Sequence, residues 1–313
     1  MTVALWIGVF VVALAALVKG ADYMLTGAER IGRYFKLPAF LIGALIIGVG
    51  TSLPELASSI AAVISNQDTI VVANAVGSNI ANILLVVGLS AVVGRRIVST
   101  KNLIDVEIPL LVISSSLFIV VAYDGIVSFF EALIMFGAFL VYLSYLLFHK
   151  GDSEVVGDKE ITVRRLHPKD FAMLVGGGAL LVGGAQYMIE SVIELSVLFN
   201  IAPALIAVSA VAVGTSLPEI IVSVTAVIRG KTDLAFGNVF GSNVFNILML
   251  VGTVGLFSRL SVDEQTLTFG LPFFAIVTVL FLVAATSKRI YLWEGMMFLL
   301  FYLFFLVKIF GFG

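Results

Sequence analysis

Two acidic side chains stand where an apolar surrounding makes them costly. Glu55 and Glu219 each lie in the middle of a long hydrophobic stretch, about 17 residues from its start. A lone carboxylate at the centre of a bilayer costs several kcal/mol, so each needs a partner. The residues just before them are identical: Gly50-Thr51-Ser52-Leu53-Pro54-Glu55 recurs as Gly214-Thr215-Ser216-Leu217-Pro218-Glu219. Proline removes a backbone donor and pushes against the carbonyl four residues earlier. The two helices are therefore expected to break just ahead of the glutamates. Carbonyls from Gly48 to Thr51 and from Ala212 to Thr215 would then leave the helix ladder. Unpaired carbonyls inside a membrane need something to satisfy them, and a cation can do so. Thr51, Ser52, Thr215 and Ser216 add hydroxyls, and the i,i+3 and i,i+4 spacings put them on the glutamate's face.

A second polar stripe follows each motif. Asn74, Ser78 and Asn82 repeat every four residues, as do Asn238, Ser242 and Asn246. Such stripes can also serve only to hold helices together. Every candidate ligand is an oxygen. There is no cysteine, and the two histidines, His149 and His167, fall in a polar stretch and read as loop residues. Oxygen donors select hard cations: Ca2+, Na+ or Mg2+ rather than Zn2+ or Cu+. Two carboxylates balance one divalent ion. Flexible carbonyls suit the variable shell of Ca2+ better than the octahedron of Mg2+.

The elements that must position these groups follow from hydropathy. Hydrophobic residues make up 60% of the 313 and charged residues 12%, with a mean hydropathy of +1.15. A water-soluble domain of this length has too little interior to hide so much apolar surface, whereas lipid solvates the outside of a membrane bundle. The net charge of −2 argues against nucleic acid as a partner. Helices are predicted near 3–31, 38–65, 70–93, 104–122, 125–148, 170–198, 202–229, 233–257, 267–286 and 291–310. The first apolar run, Val3 to Val18, lacks a basic n-region and a cleavage site, so it reads as a retained helix.

The duplication runs further than the hexapeptide. At the same offset of 164, Gly77-Ser78-Asn79 aligns with Gly241-Ser242-Asn243, Asn82 with Asn246, and Gly88 with Gly252. Five helices per unit is an odd number, so the second unit must lie upside down relative to the first. The expected fold is an all-α membrane protein of ten transmembrane helices, arranged as two inverted-topology five-helix repeats with helices 2 and 7 broken. Its parts would be a first repeat at 1–148, a cytoplasmic linker at 149–169 and a second repeat at 170–313. With the N-terminus outside, 15 of the 18 basic residues fall in inner loops. That bias places both termini outside a plasma membrane. Inverted repeats with a site at their interface are a transporter architecture.

The paired Gly-Thr-Ser-Leu-Pro-Glu motifs, each followed by Gly-Ser-Asn, resemble the two α-repeats of the Ca2+/cation antiporter superfamily, in its Na+/Ca2+ exchanger branch. The resemblance spans the whole chain. It implies alternating access, with helices 1 and 6 sliding against the other eight. It implies a Ca2+ site made by Glu55, Glu219 and the carbonyls of Thr51 and Thr215. It also implies Na+ sites using the carbonyls of Gly48 and Ala212 and the side chains of Ser52, Ser78, Ser216 and Ser242. The neutral Asn82 and Asn246 argue for exchange independent of K+. The H+/Ca2+ branch reads Gly-Asn-Ala-x-Glu where this chain reads Ser52-Leu53-Pro54-Glu55, yet proton-driven exchange stays the main alternative. A cation channel is the weaker one. No H-E-x-x-H, G-x-S-x-G or P-loop pattern points to an enzyme. No cofactor is implied. The transported ions and the lipid are the partners, and both a monomer and a homo-oligomer are compatible with the sequence. The glycines of helices 1 and 6 fit either a sliding face or tight static packing.

Overall fold

A computed structural model describes residues 3–98, 107–148, 166–199 and 216–310. Its helices are α1 (Val3–Tyr34), α2 (Ala39–Ile64), α3 (Thr69–Gly94), α4 (Glu107–Ala122), α5 (Phe129–Phe148), α6 (Pro168–Leu198), α7 (Leu217–Ile228), α8 (Thr232–Gly255), α9 (Thr266–Thr286) and α10 (Leu292–Ile309). Eight of these are long and apolar enough to cross a membrane. The other two, α4 and α7, are shorter and abut residues outside the described set. The predicted boundaries hold to within a few residues, except where that set is interrupted. The linker with His149 lies largely outside it, as do Ala212, Gly214 and Thr215. His167 stands directly ahead of α6, where its backbone N–H donates to Asp170 at 3.1 Å.

α8 is buried almost all round, while α1, α5, α6 and α10 show a large apolar surface. Exposed Val12, Val141, Val175 and Leu300 suit a lipid-facing exterior.

Four short strands were not foreseen: β1 (Arg96–Val98), β2 (Ile126–Val127), β3 (Leu260–Ser261) and β4 (Arg289–Tyr291). Two or three residues at a helix end carry no readable alternation. The strands pair antiparallel as β1–β4, with Ile97 opposite Ile290, and as β2–β3, with Val127 opposite Leu260. An offset of 164 carries β1 onto β3 and β2 onto β4. Each ribbon thus joins the two repeats, and each is the other's symmetry mate. Counting helices places them at opposite ends of the bundle. At one end the Thr232 hydroxyl donates to the Val98 carbonyl at 2.5 Å. At the other the Ser261 N–H donates to the Asp68 carboxylate at 2.9 Å. Hydrogen bonds from the Ser261 hydroxyl and N–H hold the Asp68 carboxyl below the usual carboxylate range. The end bearing β1–β4 also carries the Arg229–Asp22 and Lys231–Glu29 ion pairs, and Arg30–Asp170 at 3.0 Å.

The most extensive helix pair is α1 with α6. Gly20, Gly177 and Gly184 lie in this contact: a Cβ on Gly20 would stand 2.8 Å from the Gly177 carbonyl, and one on Gly184 3.0 Å from the Ala13 carbonyl. The small residues therefore bring these two backbones together. Gly176, Gly178 and Gly183 instead meet nothing within 4 Å. A similar approach joins α2 to α8, where a Cβ on Gly241 would stand 2.6 Å from the Ala44 Cα.

Adjacent glycines on α6 should thus respond oppositely. Gly177→Ala forces α1 and α6 apart and should lower stability by about 1–3 kcal/mol, as overpacking does. Gly176→Ala, on an exposed face, should be neutral or slightly stabilising through helix propensity. Thermal unfolding in neutral detergent compares the two, and equal melting temperatures would contradict the α1–α6 contact.

Candidate ion-binding site

Local backbone deformations place the polar groups. α2 stays helical through Pro54, contrary to the expected interruption. The deformation is a π-helical segment, Ile42–Gly48, that ends two residues before the motif. A π turn shifts the helix register while the chain stays helical, so it re-aims side chains without exposing a run of backbone to lipid. Pro54 still leaves the Gly50 carbonyl without its helical donor. α7 behaves more as the sequence predicts: directly ahead of Leu217, Ser216 has φ −91° and ψ 4°, which depart from the helix. Pro218 then sits in the first turn, where its missing N–H is cheap, and Glu219 faces the positive end of the helix dipole. On the partner helices, π-helical segments at Asn82–Val86 in α3 and Phe245–Leu250 in α8 contain Asn82 and Asn246. Their spacing follows the repeat offset.

Symmetry places the centre. The Asn79 side-chain amide donates to the backbone carbonyl of Asn243 at 3.1 Å. These residues are 164 apart, and equivalent residues that touch each other must flank the pseudo-two-fold axis. Glu55 and Glu219, equally related, are close enough to interact electrostatically. Both are 1% exposed. The Ser52 hydroxyl donates to Glu219 Oε1 at 3.5 Å, so the first repeat's motif reaches the second repeat's carboxylate.

Around this pair lies a shell of oxygens. Thr51 Oγ1 donates to the Gly48 carbonyl and the Asn238 side-chain oxygen, each at 3.3 Å, and lies 3.4 Å from Ser242 Oγ. Ser242 Oγ also donates to Gly48 O at 3.2 Å. Gly48, Thr51 and Ser242 thus form one cluster, and Asn238 completes it. Ser78 instead donates within its own helix, to Asn74 Oδ1 at 3.4 Å. The counterparts of Gly48 and Thr51 that would complete the equivalent cluster, Ala212 and Thr215, lie outside the described residues. Among the described residues, both Glu55 oxygens, Glu219 Oε2, Ser216 Oγ and the side-chain amides of Asn82 and Asn246 are buried without a hydrogen-bond partner. So many unpaired polar atoms in one interior are costly unless a ligand satisfies them. The set is oxygen-rich, and its only formal charges are two carboxylates. It can hold a hard cation, with room for neutral oxygens to complete the shell.

Reading the sequence missed part of this arrangement. The Asn74 amide donates to Ser59 at 3.3 Å and the Asn238 amide to Ser223 at 2.9 Å. These are symmetry-related bonds that orient the asparagines. Ser59 and Ser223 lie four residues beyond each glutamate, so the offset alone could have found them. Asn79 and Asn243 were visible as part of a motif, but no spacing rule reveals that they meet.

A sequence profile described as "Sodium/calcium exchanger protein" matches residues 5–148 and 169–311. The sodium/calcium exchanger MaX1 of Methanosarcina acetivorans is 34% identical, the match covering 96% of this chain and 97% of that protein. The inner membrane protein YrbG of Escherichia coli is 30% identical, over 87% and 86% respectively. A solved structure of the sodium-calcium exchanger NCX_Mj superposes with a TM-score of 0.83 at 30% identity, covering 98% of this chain and 100% of that one.

Cation occupancy should stabilise the fold by mass action. At about 100 times the dissociation constant, Ca2+ should contribute about 2.7 kcal/mol relative to chelator-treated protein. Differential scanning fluorimetry in detergent reads this as a raised melting temperature. Glu55→Gln should abolish the Ca2+-dependent rise while leaving the fold intact, and a rise of normal size in that variant would move the site elsewhere.

Proposed function

This chain belongs to the sodium/calcium exchanger protein family, and on that premise we propose how its buried oxygens carry out exchange. The protein is a multi-pass membrane antiporter that exchanges Na+ for Ca2+, and both ions are its substrates.

Glu55 and Glu219 bind Ca2+ jointly, with the backbone carbonyls of Thr51 and Thr215. The observation that carries this reading is a pair of symmetry-equivalent, fully buried carboxylates that act on each other electrostatically and have no basic partner among the described residues. Flanking Na+ sites draw on Ser52, Ser78, Ser216 and Ser242 and on the carbonyls of Gly48 and Ala212. The cluster of Gly48, Thr51 and Ser242 supports one of them. Asn82 and Asn246 offer neutral oxygens to the same interior. An empty carrier would have to pass two unbalanced negative charges through a low-dielectric barrier, and that cost enforces coupling.

The repeats occupy 1–148 and 170–313, joined by the linker at 149–169. α1 and α6, locked together by their glycine contact, move as one unit across the remaining helices. The Asp22–Arg229 and Glu29–Lys231 pairs hold that unit at the basic end of the bundle, which the excess of Lys and Arg assigns to the cytoplasm. Both termini then face outward from the plasma membrane.

Two carboxylates neutralise one Ca2+, and the surrounding oxygens suffice for three Na+. Each cycle then moves one net positive charge, which a 100 mV potential biases by about 2.3 kcal/mol. In proteoliposomes at clamped pH, an outward Na+ gradient should drive Ca2+ uptake. Because each uptake cycle carries one positive charge out, an inside-positive potential should speed it and an inside-negative one should slow it. Glu55→Gln and Glu219→Gln should each abolish uptake. Uptake that follows a pH gradient and ignores Na+ would establish proton exchange instead. Uptake that follows Na+ but not voltage would retain antiport and reject the three-for-one count.

Asn246→Asp tests whether α8 faces the ions. A third carboxylate adds a protonatable group or a further cation site, so exchange should acquire a new dependence on pH or K+. A variant that matches wild type from about pH 6 to 9, with and without K+, would remove Asn246 from the site.

A further inference from the structure

The basic end of the bundle carries a feature that ion exchange does not use. The antiparallel β1–β4 ribbon sets Arg96 opposite Tyr291 and Val98 opposite Arg289, so Arg95 and Arg96 of the first repeat lie at one end of it and Lys288 and Arg289 of the second at the other. Ile97 and Ile290 point inward and are 3% and 0% exposed, so the ribbon is a fixed platform. Among the described residues, none of the four cations has a carboxylate partner. The acidic group nearest in sequence, Glu294, is occupied with the N-terminus of α10, where it accepts the Tyr291 N–H at 2.6 Å.

A cleft of about 400 Å³ opens against this platform, lined by Val98, Ser287, Lys288, Arg289 and Tyr291. A second of about 370 Å³ shares Ser287 with it and runs between α9 and α10. Its walls are mostly apolar, with Leu280, Val283, Ala284, Trp293 and Met297 among them, and Glu294, held by the Tyr291 N–H, is its one carboxylate. One cleft is cationic and the other is apolar, and they join at the helix ends. Tyr291 and Trp293 are 46% and 74% exposed at the junction, as aromatic residues at a membrane–water interface are. A free anion would use only the first cleft, and an apolar helix from another chain only the second. A single amphiphile uses both.

We propose that this junction binds an anionic phospholipid, with its phosphodiester against Lys288 and Arg289 and one acyl chain in the α9–α10 groove. The ribbon spans both repeats, so a lipid seated there rests on an element to which each repeat contributes a strand. The site is independent of the ion-binding residues.

Native mass spectrometry of the full chain in neutral detergent, titrated with phosphatidylglycerol, tests this. One variant is Lys288→Ala/Arg289→Ala and another is Ala284→Phe, which fills the groove. Each cation near a membrane surface is worth about 1 kcal/mol, so the double variant should bind phosphatidylglycerol about 25-fold more weakly. Ala284→Phe should weaken it comparably. Lys36→Ala, at the turn between α1 and α2, should change binding less than about twofold, because a general surface attraction would count every cation equally. Phosphatidylcholine bound as tightly as phosphatidylglycerol would overturn the proposal. So would an equal loss in Lys36→Ala, or inorganic phosphate bound with the same affinity in wild type and Ala284→Phe while displacing the lipid. Exchange in phosphatidylcholine liposomes and the melting temperature report folding of each variant. If Ala284→Phe does not fold, the double variant at the surface turn decides the matter against Lys36→Ala.

Discussion

Two acidic side chains with no basic partner among the described residues occupy the centre of an apolar bundle, and the rest of the molecule is arranged around their cost. Among the described residues no lysine or arginine pairs with Glu55 or Glu219. A mobile cation can do so, and a site that is stable only when occupied is also a site that couples one ion to another. The neutral oxygens near the pair serve the same end. Hydroxyls, amides and carbonyls complete a cation's shell without adding charge that the ion could not offset.

Duplication provides the second carboxylate, and inversion brings it to the first. Had the second repeat lain parallel to the first, its motif would have come near the same membrane level without a two-fold axis in the membrane plane. With inversion, Asn79 meets Asn243 across the axis, and each terminal ribbon takes one strand from each half. The ribbons close the two ends of the bundle. Three of the four described π-helical segments, Ile42–Gly48, Asn82–Val86 and Phe245–Leu250, lie beside the polar groups they aim; the fourth, Thr266–Gly270, is in α9. A π turn lets a transmembrane helix redirect a side chain while remaining helical, which lipid requires.

Glycine at α1 and α6 decides which parts can move together. Backbones that approach this closely leave no side chains to slip past one another, which supports the proposed movement of the pair as one unit. Its attachments to the rest at the basic end are ion pairs at the edge of the membrane, where water can compete for the charges. The contact between α2 and α8 is equally close but lies beside the oxygen cluster, where rigidity preserves ligand geometry.

Much of this was legible in the sequence. Hydropathy located the ten helices, because a lipid surround demands long apolar runs and leaves little room for ambiguity. The offset of 164 exposed the duplication, and helix parity together with the Lys and Arg bias implied the inversion. The glutamates, the serines and the asparagine stripes were identifiable because polar groups are rare in such a background. Tertiary structure alone decided the rest. Periodicity describes one helix at a time, so it could not show that Ser52 serves Glu219 rather than Glu55, or that Ser242 joins Thr51 while Ser78 stays within its own helix. Proline predicted a break in α2, but the helix continues through Pro54, and its deformation is a π segment earlier in the chain that packs against α8. The ribbons escaped notice because two or three residues carry no pattern, and their pairing depends on which helix ends the bundle brings together.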